Sequence, residues 1–326
     1  MGRTRKKTCN MRNITIKKLT TKIKLNPTFN IADFHYNSPS KKDLAVGFVY
    51  FNSAKSKRLL MNYLYTVEKL KIANIPVFTL EMYETTPEIK DAFHYKTDFI
   101  LFQKERLCHL LETHIPKQYT KLLFMDSDIL FENNNWYNEL SDKLNSFDVV
   151  QPFSKALWLD ITYKKITKER FSLVFYKKFG KLDMGGGMGG YHPGFAWGFC
   201  RKWFCKYGFF QYDILGGGDN FSSTTWTNYT HFTNPHLKYL EATLDEYKAS
   251  FNKLPNICTI DSNIYHLWHG KKRNRQYNIR WKILKNVNDI RDIITTDSRG
   301  LFVLKDDPVL KRKIRNFFHN RDDDSI

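Results

Sequence analysis

No run of eighteen apolar residues occurs in this sequence, so no membrane-spanning helix is expected. The amino terminus, MGRTRKKTCNMRNITIKK, is basic but has no apolar stretch behind it, which argues against a secretory leader. Lys6 stands where myristoylation of Gly2 would want Ser or Thr. Cysteine is scarce and unpaired in pattern: five residues, no CxxC spacing, a usage that fits a reducing compartment better than a disulfide framework. Cys200 and Cys205 then read as buried thiols rather than zinc ligands, and the sequons at Asn13, Asn220 and Asn228 carry little meaning. The expected location is the cytoplasm, or a host's cytoplasm if the protein is viral. No GxGxxG follows the first predicted strand and there is no Walker loop, which argues against dinucleotide-binding and P-loop folds. HExxH is missing, as are the RRM, zinc-finger and KH signatures and any internal repeat.

Acidic residues are also short, 33 against 52 Lys and Arg, a formal charge of +19. Such an excess favours an anionic partner: nucleic acid, a membrane surface or a phosphorylated small molecule. The chain is rich in Lys, Asn, Ile, Phe and Tyr, as AT-rich coding would make it, so part of that charge is discounted.

With 326 residues, 42% hydrophobic and 16% aromatic, the chain can bury a large core. Residues 1–40 read as a basic extension without periodicity. Over 41–152 strands and helices alternate. LAVGFVYF, PVFTLEM, DFILF and KLLFMDSD have strand character; SKRLLMNYLYTVEKLKIA and KERLCHLLETHI have helical spacing. Parallel neighbours need crossover helices, so the expected fold class is α/β with a doubly wound, mostly parallel sheet, whose ligands bind at the carboxyl ends of its strands. Residues 153–326 form a less regular half. There FDVVQPF before it, then GFAWGFC and NICTIDSNIYHLWHG, read as strands, KITKERFSLVFYKKF as a helix or excursion, and GGGMGGYHPG as a loop. RKWFCKYG, HLKYLEATLDEYKASF and DPVLKRKIRNFFHNR read as helices, the last running into the charged end RDDDSI.

Three constellations carry chemistry. Asp126, Ser127 and Asp128 end a strand, where two carboxylates can share a Mg or Mn ion with substrate phosphates; acids after strands also serve as turn or cap residues. YHPGFAWGFCRKWF with ILGGGDN combines aromatics on which a sugar can stack with glycines that let backbone approach it, and places Asp219 beside them; the same residues also suit a core and a plain turn. HLWHGKKRNR offers His266 and His269 to a metal, and Lys271, Lys272 and Arg273 to phosphate, or else a structural pair and a solvated face.

The stretch QKERLCHLLETHIPKQYTKLLFMDSDILFENNNWYNEL resembles the donor-site region of GT-A glycosyltransferases, where a helix and a Pro-containing turn precede a strand ending in DxD. YHPGFAW, LGGGDN, HLWHG and RWKIL resemble uncharacterised bacterial, phage and large-DNA-virus proteins of that kind, and the likeness runs from about residue 44 onward. It implies a metal-dependent glycosyltransferase moving a sugar, weakly favoured as an inverting hexosyl transfer, from a UDP- or GDP-sugar to a hydroxyl of a glycan, protein or other acceptor. Residues 41–152 would be the nucleotide-sugar half and 153–326 the acceptor half. Asp128 would bind Mn or Mg directly, and Asp126 would touch the ribose or a metal-bound water. His269, or next His266, would complete the shell. Lys104 or Arg106, with Ser127, Lys271 and Lys272, would hold the donor, and Glu81 would contact the base. Asp219 would be the general base. Tyr191, His192, Trp197, Gly217, Gly218 and Trp268 would form the acceptor side. Leu215 before the glycines departs from the Trp of related galactosyltransferases, which is why Trp197 or Trp268 is assigned the platform. Nucleic-acid binding, or an inactive glycan-binding protein on the same fold, are the rival readings.

Overall fold

The computed structural model describes residues 30–179, 190–229, 235–271, 274 and 280–324. In chain order it begins with β1 (Leu44–Tyr50), α1 (Lys57–Ile72), β2 (Val77–Tyr83), β3 (Phe93–Lys96), α2 (Lys104–His114), β4 (Lys121–Met125) and β5 (Ile129–Phe131). α3 (Trp136–Lys143), β6 (Val149–Gln151), β7 (Lys155–Leu159), β8 (Ile166–Ser172), α4 (Leu173–Phe179), β9 (Tyr191–His192), β10 (Ala196–Cys200) and α5 (Arg201–Lys206) follow. The rest is α6 (Gly218–Trp226), α7 (Glu241–Ala249), β11 (Ile257–Thr259), β12 (Asn263–His266), β13 (Ile294–Thr296), β14 (Phe302–Leu304) and α8 (Pro308–His319).

Seven strands form the main sheet in the order β11-β6-β10-β4-β1-β2-β3. β1, β2, β3 and β4 are mutually parallel, as expected of strands joined by crossover helices, and β10 alone runs antiparallel between β4 and β6. β1 and β4 are almost wholly buried because helices cover both faces, which explains their continuous apolar runs. The expected α/β class and its mostly parallel sheet are therefore what the chain adopts.

A second sheet, β5-β12-β7-β8-β9, lies beyond the carboxyl end of β4. The chain passes from one sheet to the other through Asp126–Asp128. β4 ends at Met125, the Asp126 N–H donates to Phe195 O of the strand approach at 2.7 Å, and β5 starts at Ile129. The Leu267 N–H donates to Asp128 O at 2.8 Å, tying the end of β12 to the same turn.

Several expectations need correction. DFILF is not a strand: Ile100 and Leu101 are buried, but only a single bridge, Phe102 to Leu215, forms there, and the third strand is FHYK, half-exposed at the sheet edge. KITKERFSLVFYKKF divides into β8 and α4, and NICTIDSNIYHLWHG supplies two strands, one to each sheet. The ILGGGDN segment opens α6 rather than a plain turn. Residues 1–29, most of the GGGMGG loop, Lys272 and Arg273 lie outside the described residues. From Asn30 to Ser40 the chain packs on the body: the buried Tyr36 ring meets Trp136 edge-on at 5.9 Å and its hydroxyl accepts the Phe131 N–H at 2.9 Å. No described helix is long and apolar enough to cross a membrane.

Candidate active site

The end of β4, the end of β12 and the start of α2 converge on a cleft of about 630 Å³. At its floor three side chains meet. Asp128 Oδ2 lies 2.9 Å from His269 Nε2 and 3.4 Å from His266 Nε2, and the two Nε2 atoms are 3.2 Å apart. Asp128, His266 and His269 are 6%, 5% and 6% exposed. Ligands at about 2.1 Å from an octahedral ion sit about 3 Å from their neighbours, so these donors are already spaced as one face of an octahedron. The remaining face opens to the cleft that Asp128, His266 and His269 line. The residues present therefore fit a divalent cation, and the two imidazoles suit Mn better than Mg. His269 Nδ1, on the far side of the ring, lies 3.9 Å from Asp323 Oδ1, within ion-pair reach but beyond a hydrogen bond.

Asp126 turns to Lys104. Gln103, fully buried ahead of α2, exchanges hydrogen bonds with the backbone of Phe302, its Nε2 donating to O at 3.0 Å and its Oε1 accepting from N at 2.8 Å. That exchange fixes the start of α2 and aims Lys104 into the cleft, where its ammonium donates to Asp126 Oδ1. Burial works against the Lys104 charge, but Asp126, Asp219 and Glu105 hold it well above its ordinary value. Burial, then the neighbouring Asp128 and Asp219, raises the Asp126 carboxyl despite Lys104.

Asp219 occupies the first turn of α6 and lines the cleft; its Oδ1 accepts the Asn220 N–H at 2.8 Å. A Cβ on Gly194 would stand 2.0 Å from Asp219 Oδ2, so the glycine is what lets this carboxylate lie against the backbone before β10. Gly216 and Gly217, at φ 89° and 129°, make the turn into α6 in a region of backbone space that favours glycine. Behind that turn Glu105, 2% exposed, sits where a Cβ on Gly218 would be, 2.6 Å from its Oε2. Burial moves its carboxyl well above the usual range.

The opposite wall is aromatic. Phe195 takes a left-handed φ of 79°, uncommon for a bulky residue, and stacks on His192 at 3.7 Å between ring centres. Trp158 lies within 5.3–5.6 Å of Phe195, His192 and His266. Burial, followed by the nearby His266, Lys168 and Arg170, keeps His192 well below its ordinary pKa.

Most of the residues assigned from sequence meet here: Asp126, Ser127, Asp128, Lys104, His266, His269, Lys271, Tyr191, His192, Gly217, Asp219 and Trp268 all line the cleft. Four are elsewhere. Glu81 is buried at 2% and accepts the Glu88 and Ile89 N–H groups at 2.6 and 2.9 Å, so it holds a turn rather than facing a base. Arg106 is spent on Gly300 O and Gln211 Oε1 at 2.6 and 2.8 Å. Trp197 is core: its indole N–H donates to Pro193 O at 2.9 Å and its ring meets Trp226. Gly218 is buried behind the turn. Sequence reasoning did not single out Trp158, Lys168, Arg170, Arg280 or Asp323, all in the lining. The RWKIL segment containing Arg280 and the terminal acid run were both visible, but nothing in either said which residue would face the cleft.

No protein-family model matches the chain, and no curated protein matches it in sequence. Among solved structures it is similar to the catalytic domain of Drosophila β1,4-galactosyltransferase 7 in complex with xylobiose. That match has 10% identity, 84% of this chain and 98% of that one covered, and a TM-score of 0.38. It is also similar to glucosyl-3-phosphoglycerate synthase from Mycobacterium tuberculosis in complex with Mn2+, UDP-glucose and phosphoglyceric acid, at 11% identity, 81% and 86% coverage and a TM-score of 0.34. Mouse xyloside xylosyltransferase 1 is a third, at 10% identity, 72% and 97% coverage and a TM-score of 0.30.

Proposed function

We propose that the protein is a metal-dependent glycosyltransferase that moves a sugar from a nucleoside diphosphate sugar, UDP- or GDP-linked, to an acceptor hydroxyl. The observation that carries this reading is the open, octahedrally spaced Asp128–His266–His269 face beside the Lys104–Asp126 pair, with Asp219 lining the same cleft. A donor laid across the carboxyl ends of β1 and β4 follows the general rule for open α/β sheets and brings its diphosphate to that face. The cation, when bound by these three residues, would neutralise the charge that develops on the departing diphosphate.

Lys104 adds a fixed ammonium at the same place, and Lys271, exposed at the cleft, adds a second. Asp219 takes the proton from the acceptor hydroxyl as its oxygen bonds to the anomeric carbon. The bond from that carbon to the diphosphate oxygen breaks, and the electron pair leaves with the diphosphate. Trp158, Phe195 and Trp268 give the cleft an apolar wall on which a sugar face can rest and from which water is displaced.

The test is a screen of UDP- and GDP-sugars with Mn and Mg that reads release of the nucleoside diphosphate. Asp219→Asn should lose about 10²–10⁴ in transfer while still binding Mn and the nucleotide. Donor turnover that survives Asp128→Ala would sink the assignment. Two imidazoles and one carboxylate on a single face are also the ligand set of Fe(II) oxygenases. Fe(II)-dependent oxygen uptake, in place of diphosphate release, would favour that second reading.

A further inference from the structure

Beside His266 and Trp158 the second sheet carries two cations, Lys168 and Arg170, to which the transfer reaction gives no role. Register pairs His266 with Trp158 and Trp158 with Lys168, so these three side chains rise from the same face of neighbouring strands. At about 4.8 Å per strand, the Lys168 backbone stands about 10 Å from that of His266. Trp158 stands between them, and that interval matches the width of a sugar ring laid against the cleft side of the indole. Arg170, two residues along β8, projects from that face too, about 6.6 Å further on, and both cations line the cleft.

Three other cations of the cleft have acids beside them. Lys104 donates to Asp126, Arg321 lies 3.3 Å from Asp323, and Arg280 feels the buried Asp213. Arg170 differs. Its Nη1 donates to Tyr191 O at 3.4 Å, and among the described residues no carboxylate lies within ion-pair distance of it. Glu169, between the two cations, points to the opposite face, where Lys155 lies 3.7 Å away. Lys168 rests over the Trp158 ring at 4.6 Å, which holds its ammonium on the same face as Arg170. Burial lowers the Arg170 pKa, the direction expected of a guanidinium that is desolvated without being neutralised. A half-buried cation of this sort usually has an anionic partner.

We propose that Lys168 and Arg170 form an anion subsite, one sugar's width from the Asp128–His266–His269 face, for a phosphate or carboxylate carried by one of the two sugars of the transfer. This rests on the transferase reading for the identity of the ligand, though not for the existence of the subsite. The planar guanidinium fork and the ammonium can grip two oxygens of one such group together.

The test uses the full chain with Mn and UDP. Glucose 6-phosphate, methyl glucuronide and neutral methyl glucoside are titrated separately, with binding read by calorimetry. At least one of the two charged sugars should bind about tenfold more tightly than methyl glucoside, and Lys168→Gln/Arg170→Gln should abolish the difference. Arg170→Gln alone serves if the double variant is unstable. A parallel arm compares UDP-glucuronic acid with UDP-glucose: an Arg170-dependent preference there puts the anion on the donor, whereas a preference confined to the titrated sugars puts it on the acceptor. Equal binding of charged and neutral probes in both arms, or a preference that the variants retain, overturns the proposal. Mn-dependent UDP binding, measured in the same samples, separates the two failures: its loss from the wild type would defeat the transferase reading, while the Arg170-dependent anion preference is read independently.

Discussion

Replacing Asp128 with Ala removes one of three donors from a preformed octahedral face, and the consequence can be worked out before any substrate is known. A cation supplied at a hundred times its dissociation constant stabilises a protein that binds it only when folded by about 2.7 kcal/mol. Unfolding entropy of about 2.1 cal/mol/K per residue, over the 326 residues, gives about 0.7 kcal/mol/K, so saturating Mn should raise the Tm of the wild type by about 4 °C. Loss of the charged donor weakens binding by about 100-fold or more, by comparison with the 10–100-fold seen when a residue merely supporting a ligand is lost. At the same Mn concentration the remaining stabilisation is about 0.4 kcal/mol, a shift below about 1 °C. Differential scanning fluorimetry of the two proteins with Mn, with Mg and with EDTA reads this directly. A full Mn shift in Asp128→Ala would mean that the ion binds elsewhere, and the reasoning from the Asp128–His266–His269 spacing would fail with it.

Gly194→Ala should leave the fold intact and cut transfer by about 10²-fold or more, since its Cβ would displace the Asp219 carboxylate from its place 2.0 Å away; steady-state kinetics beside Mn binding tests it. Glu81→Ala should cost about 3 kcal/mol in urea unfolding, because two backbone N–H groups lose a charged acceptor, and should leave the affinity for UDP unchanged. His109, whose pKa burial brings down to about 4, stays neutral in the folded protein, its Nε2 lying 3.0 Å from Phe209 O and 3.1 Å from Phe209 N. Its folded pKa is below its unfolded one, so its contribution is complete above about pH 6.5 and is lost as pH falls towards 4, on the order of 3 kcal/mol in all. Unfolding free energies of wild type and His109→Gln should therefore converge between those pH values.

The regular half was legible because its elements obey simple periods. LAVGFVYF and LLFM are continuous apolar runs, as strands buried on both faces are, and α1 shows a clear helical stripe; the buried Lys121 ahead of LLFM is neutralised by Asp43. DFILF misled because a buried connection into α2 is as apolar as a strand, and only the pairing of Leu80 with Phe93 shows that FHYK has taken its place. In the site, Asp126, Asp128, His266, His269 and Asp219 each have a bland use taken singly, as turn, cap or structural residues; they stood out because the three segments that carry them occur together and in order. Glu81 was misplaced because an acid at a strand end can equally well accept the N–H groups of the following turn, and Arg106 because its place on α2 faces Gly300 and Gln211, distant in sequence, rather than the cleft. Lys168, Arg170 and Trp158 were invisible because their importance lies in the register across β12, β7 and β8, which long-range pairing sets and no local pattern encodes.

The turn at Asp126–Asp128 joins the two sheets, and its partners His266 and His269 return from the far one. All three donors ride on the second sheet, since Ile129, next to Asp128, pairs with His266 and the Leu267 N–H donates to Asp128 O. A parting of the sheets would therefore leave a cation in the grip of Asp128, His266 and His269 and draw it away from Lys104 and Asp126 at the end of the main sheet. A bound Mn(II) signal, followed through mild denaturant, would then outlast donor binding and vanish only when the second sheet itself loosened.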